Sequence, residues 1–142
     1  MPLVRIALKR RKVPQFGRKV GEVVYRTMTD VISVPARDNF QIITEHDDNG
    51  LVYDPGYLDI RRTDGIVIIQ ITLSAGRTVE AKQRFYQTLV QRLESELAVR
   101  PSDVFINLVE VKKENWSFGD GVAQYVLHPN ALPQEIKCHQ HA

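Results

Sequence analysis

The chain has 142 residues, 43% hydrophobic and 25% charged, with a formal net charge of +2. This is the composition of an ordinary globular chain of one domain, with too little charge to argue for nucleic acid. No apolar run approaches the ~20 residues that span a membrane, MPLVRIALKRRK does not read as a secretory signal, and the single Cys138 leaves no internal disulfide framework and fits a reducing cytoplasm.

Residues 3–8, LVRIAL, form a short apolar and partly β-branched run, which predicts a buried strand. Val20, Val24, Met28 and Val31 then recur at helical spacing, and Pro35 is expected to stop that helix. FQIITEH at 40–46 reads as a second strand. The segment 47–65 is a linker whose Asn49-Gly50 and Pro55-Gly56 pairs are turn signals. IVIIQITL at 66–73 repeats the buried-strand pattern. Ala81, Phe85, Leu89, Leu93 and Leu97 recur every four residues, with Thr78 suited to cap the helix, Glu80 favourable in its first turn and Pro101 expected to end it. VFINLVEV at 104–111 is a fourth strand. Residues 128–142 hold two prolines and no periodicity, and read as a tail or an arm over a neighbour.

These elements repeat. At a constant offset of 65 residues, Ile6 aligns with Ile71, Leu8 with Leu73, Val34 with Val99, Asp38 with Asp103, Phe40 with Phe105 and Glu45 with Glu110. The expected fold class is therefore α+β, with α/β character. Two tandem βαβ units, each with parallel strands joined by a right-handed crossover, make a four-stranded sheet with both helices on one face. The other face is expected to be apolar and uncovered, which predicts association with further copies of the chain.

Pro2 starts the first strand. Removal of Met1 would expose a secondary amine. The ordinary α-amino pKa of about 7.7–8.0 falls on burial and rises beside carboxylates, so the amine suits acid–base work near neutral pH. A proline at position two is also common and by itself carries no function. Arg77 lies between a strand end and a helix start, where anions bind, and its guanidinium can grip a carboxylate with two hydrogen bonds. A solvated surface arginine is the alternative. Lys12 takes the equivalent place in the first half and is a second candidate contact for the substrate's anion, although the KRRK run that it ends usually reads as a solvated loop. Asp38 precedes the second strand as Asp103 precedes the fourth. It is either a turn residue or an orienting or water-activating carboxylate. Trp116, Phe118 and Tyr125 surround a turn with Gly119 and Gly121, and suit a pocket wall or a core cluster. Cys138, His139 and His141 without distant partners are poor evidence for a structural zinc, and His46 stands alone at a strand end.

On MPLVRI, VPARDNFQ, SAGRTVEAKQRFY and DVFINLVEVKKENWSFGDG, in that order from residue 2 to about 125, the chain resembles the tautomerase superfamily. The resemblance is specifically to its long-subunit branch, which includes malonate semialdehyde decarboxylase. The resemblance implies a tautomerase-like domain over 1–127, with pseudo-repeats at about 2–46 and 66–111 and a tail at 128–142. It implies a homotrimer and neither metal nor organic cofactor. It places the catalytic proline on Pro2, its working carboxylate on Asp38, one carboxylate-binding arginine on Arg77 and an aromatic wall on Trp116, Phe118 and Tyr125. The decarboxylase's other arginine falls on Ala75, so this chain lacks it. One charge-assisted hydrogen bond contributes about 1.5–3 kcal/mol, so its loss puts decarboxylation in question unless Lys12 or another base compensates.

The expected activity is a cofactor-independent tautomerase or isomerase acting on a small oxo carboxylic acid, with no nucleic-acid or membrane partner. The alternatives are a decarboxylase or hydratase and, from another class, a non-catalytic oligomeric binding protein.

Overall fold

The computed structural model describes residues 2–136. Its strands are β1 (Pro2–Lys9), β2 (Phe40–His46), β3 (Val67–Ser74) and β4 (Val104–Val111). Helix α1 (Phe16–Val31) joins β1 to β2, α2 (Val79–Leu97) joins β3 to β4, and a single turn, α3 (Gln124–Leu127), follows β4. The sheet order is β2-β1-β3-β4. Strands within each βαβ unit are parallel, as expected, and the two units meet through β1 and β3, which run antiparallel.

Alternation explains the layers, because successive strand residues face opposite ways. Val4, Ile6 and Leu8 of β1 and Val67, Ile69, Ile71 and Leu73 of β3 are buried beneath the helices. Val20, Val24 and Met28 of α1 and Phe85, Leu89 and Leu93 of α2 close that core. Val31, Ala81 and Leu97, at the ends of the two stripes, are half-buried. Gly17 and Gly21, one turn apart, let α1 lie close on β2. A Cβ at Gly17 would stand 2.6 Å from the Ile43 side chain, and the Gly21 carbonyl accepts a hydrogen bond from Gln41 Nε2 at 2.8 Å.

Thr78 caps α2 by accepting from the Ala81 amide at 3.1 Å, and Glu80 sits in the first turn. The helix stops differ from expectation. Neither Pro35 nor Pro101 ends a helix; each lies four residues past the last helical position. Ser33 (φ 57°) and Ala98 (φ 54°) are left-handed, so the chain turns back before either proline. The Val34 amide then bonds Met28 O and the Val99 amide bonds Leu93 O, each at 3.2 Å. Both pairs keep the 65-residue offset.

The open sheet face also departs from the expected apolar surface. Its middle row, Ile42–Arg5–Gln70–Asn107, is mostly polar, and Gln70 Nε2 donates to Asn107 Oδ1 at 3.1 Å. The rows on either side, Phe40–Leu3–Thr72–Val109 and Thr44–Ala7–Ile68–Phe105, hold most of its apolar residues. Phe40 and Phe105 remain about half exposed.

Candidate active site

The register brings the amino end of β1 to the carboxyl end of β3. Pro2, buried, pairs with Leu73, and Leu3 pairs with Phe40 on the other side. Pro2 thus begins its strand between the turn that carries Asp38 and the loop that carries Arg77.

Asp38 is 7% exposed, and its amide bonds Pro35 O at 3.2 Å. Burial pushes its carboxyl pKa upward. It lines a cleft of about 460 Å3 with Arg37, Phe40, Phe118 and Tyr125 among its neighbours. Arg37 has φ 73°, and its amide donates to the Tyr25 hydroxyl at 3.1 Å.

Arg77 lines a second cleft, also of about 460 Å3, that shares Pro35, Tyr125 and Pro133 with the first. The half-buried guanidinium donates from Nε and Nη2 to Ile32 O at 3.2 and 3.1 Å, and from Nη1 to Ser74 O at 3.2 Å. Burial lowers its pKa and the Glu110 charge opposes that, but an arginine stays protonated regardless. Glu110 is itself held ionised chiefly by its hydrogen bond from Lys82.

The aromatic residues divide their work. Phe118 and Tyr125 reach the Asp38 cleft and meet edge to face, with centroids 5.0 Å apart. Trp116 stacks on Phe118 at 5.5 Å and donates from Nε1 to Ser74 Oγ at 3.1 Å, so it supports the wall from behind. Tyr125 has its pKa raised by burial and then by the Asp38 charge. Gln124 carried no signal beyond being an amide in an apolar stretch. It is buried, accepts from the Phe118 amide and donates to Gly119 O, both at 3.0 Å, and so fixes the turn that presents Phe118.

Lys12 does not join this group. It follows the carboxyl end of β1, while Arg77 follows the carboxyl end of β3, and those strands are antiparallel. Within one chain the two basic residues therefore lie at opposite ends of the sheet. Lys12 lines a shallow cleft there with Lys9, His46 and Asp64. Two neighbours in the KRRK run are committed to the chain: Lys9 pairs with Asp48 and Asp64, and Arg11 donates to Gly65 O beneath its stack on Phe16. His46 shares a hydrogen bond with the Thr44 hydroxyl at 2.9 Å. Cys138, His139 and His141 lie outside the described residues. The start of the expected tail lies on the chain's own clefts: His128 and Pro133 line the Arg77 cleft, and Ile136 lines that of Asp38.

The family model described as tautomerase enzyme matches residues 38–119. A probable tautomerase of Bacillus subtilis (strain 168), YusQ, is 39% identical over 126 residues, 89% of this chain and 99% of its own. The chain belongs to the tautomerase family. A second probable tautomerase of that organism, YrdN, is 34% identical over 89% of this chain and 97% of its own. Among solved structures, FG41 malonate semialdehyde decarboxylase inhibited by 3-bromopropiolate superposes with a TM-score of 0.83 at 37% identity, covering 92% of this chain and 99% of that one. A further malonate semialdehyde decarboxylase gives a TM-score of 0.81 at 27% identity, over 91% and 99%. The protein is thus an enzyme of the tautomerase superfamily and shares the fold of the malonate semialdehyde decarboxylases. No described helix is long and apolar enough to cross a membrane.

Proposed function

We propose that the protein is a cofactor-independent tautomerase that moves a proton on a small oxo carboxylic acid, with the secondary amine of Pro2 as acid and base. The observation that carries this reading is the convergence of Pro2, buried Asp38 and Arg77 at one end of the sheet. An amine there takes the enol hydroxyl proton and returns a proton to carbon, so the keto acid forms without a change of redox state. Arg77 holds the carboxylate with the N–H groups it does not give to Ile32 and Ser74. Asp38 orients Pro2 or a water, and its negative charge favours the protonated amine. Phe118 and Tyr125 exclude bulk water beside the reacting carbon.

The reading requires loss of Met1, because with Met1 retained the Pro2 nitrogen is an amide. Ketonisation of an enolised aryl-pyruvate by wild type and Pro2→Ala is its test. A loss of kcat by about 100-fold or more is expected, and equal rates would refute the proline mechanism.

Similarity to two malonate semialdehyde decarboxylases supports a second reading, decarboxylation or hydration at the same residues. Carbon dioxide release from malonate semialdehyde at a rate exceeding ketonisation favours it. We further infer that copies of the chain, as a homotrimer, cover the two apolar rows of the open sheet face.

A further inference from the structure

Arg77 cannot hold a carboxylate by itself as fully as a free guanidinium would. Of its five N–H donors, three already point to backbone carbonyls, including both nitrogens of the Nε–Nη2 side. One N–H remains on each terminal nitrogen. Ala75, beside it, adds a methyl group to the same cleft.

Among the described residues, the lining of that cleft contains no acidic side chain. Besides Arg77, it contains Lys113 and His128. Lys113 arrives there through the sheet. The Ala75 amide bonds Val111 O at 3.0 Å, which ties the loop after β3 to the end of β4. The chain leaving β4 then makes a short 3-10 turn whose first residue is Lys113, and the Trp116 amide closes it on Lys113 O. Lys113 forms no ion pair among the described residues. Its ammonium is thus uncommitted, on the wall of a cleft that Arg77 shares and that adjoins the Asp38 cleft through Tyr125.

We propose that Lys113 is a second carboxylate-binding residue of this enzyme, acting with Arg77 on the substrate's acid group. The inference deepens the tautomerase reading and rests on it for the identity of the acid. Lys113 supplies a point charge with three rotatable donors, which complements an arginine already fixed by its own backbone contacts. Lys12, the residue that the internal repeat nominates, lies beyond the far end of β1, an eight-residue strand at about 3.3 Å per residue, and cannot serve this role within the chain.

Steady-state ketonisation of an enolised aryl-pyruvate by Lys113→Met, Lys113→Arg and Lys112→Met tests it, with calorimetric titration of pyruvate and of methyl pyruvate. Lys113→Met is expected to raise KM and weaken pyruvate binding about 10- to 100-fold, the effect of one lost charge-assisted hydrogen bond. It should change kcat less than threefold, a limit of about 0.65 kcal/mol set by RT ln 3. Lys113→Arg should recover most of the loss, and methyl pyruvate should not distinguish the variants. Lys112→Met, which removes a neighbouring charge outside the cleft, should match wild type. Pyruvate binding unchanged in Lys113→Met, an equal loss in Lys112→Met, or a wild type that binds no pyruvate would each overturn the proposal. Failure of the proline mechanism is read separately, as Pro2→Ala turning over at the wild-type rate.

Discussion

Asp38 and Asp103 occupy equivalent places in the two halves and have taken different work. Asp103, 2% exposed, accepts from the Thr63 amide at 2.7 Å and its hydroxyl at 2.6 Å, which pins the linker to the start of β4. Asp38 instead faces the cleft at the amino end of β1. Its raised pKa has a sign that can be checked. The native state holds this proton more tightly than the unfolded chain, so the group's contribution to stability falls as pH rises from about 3.9, the unfolded value, through the higher folded one. Asp38→Asn should lack that slope in melts across the acidic range. It should lose kcat by about 100-fold in the same ketonisation assay. A variant that is fully active and keeps the wild-type slope would contradict the assignment. The sequence shows that both aspartates precede strands. It does not show which one meets a linker and which one meets a cleft, because that depends on chain far away.

At the scale of elements, much was legible. The strands 40–46 and 104–111 were read with the bounds they have, because β-branched and apolar runs end there at turns and polar residues. The repeat offset survives in the turns that follow the helices, where Ser33 and Ala98 are both left-handed. The stop signals are hidden because proline is an obvious helix breaker, whereas Ser33 and Ala98 are not the glycines that usually announce a left-handed backbone. That backbone is disfavoured for any residue with a Cβ. Ala98→Gly should therefore stabilise the fold by ~0.5–1 kcal/mol, seen as a higher urea midpoint at unchanged m. Thr78→Ala should destabilise it by ~1 kcal/mol through loss of the α2 cap. A lower midpoint for Ala98→Gly would show that its side chain contributes packing the exposed position does not suggest.

At the scale of the whole molecule, the antiparallel junction of β1 and β3 decides what the repeat means. It sets the two halves head to tail, so Pro2 and Asp38 of the first unit meet Arg77 of the second, while Lys12 is carried to the other end. No local pattern encodes that junction, which is why Lys12 looked equivalent to Arg77. The open face was half legible. Period-two alternation predicts a second face, but Arg5, Gln70 and Asn107 align only once the register is known. If copies of the chain cover that face, Phe105→Asp should shift sedimentation from three chain masses toward one, and a monomeric wild type would refute the assembly. Acid–base work by the Pro2 amine is tested by one paired measurement: the intact mass of the purified protein together with its rate of aryl-enolpyruvate ketonisation before and after Pro2→Ala. A mass lacking Met1 and a rate that falls by about 100-fold or more in the variant are expected. A wild type that retains Met1 and catalyses the reaction as fast as Pro2→Ala would contradict it.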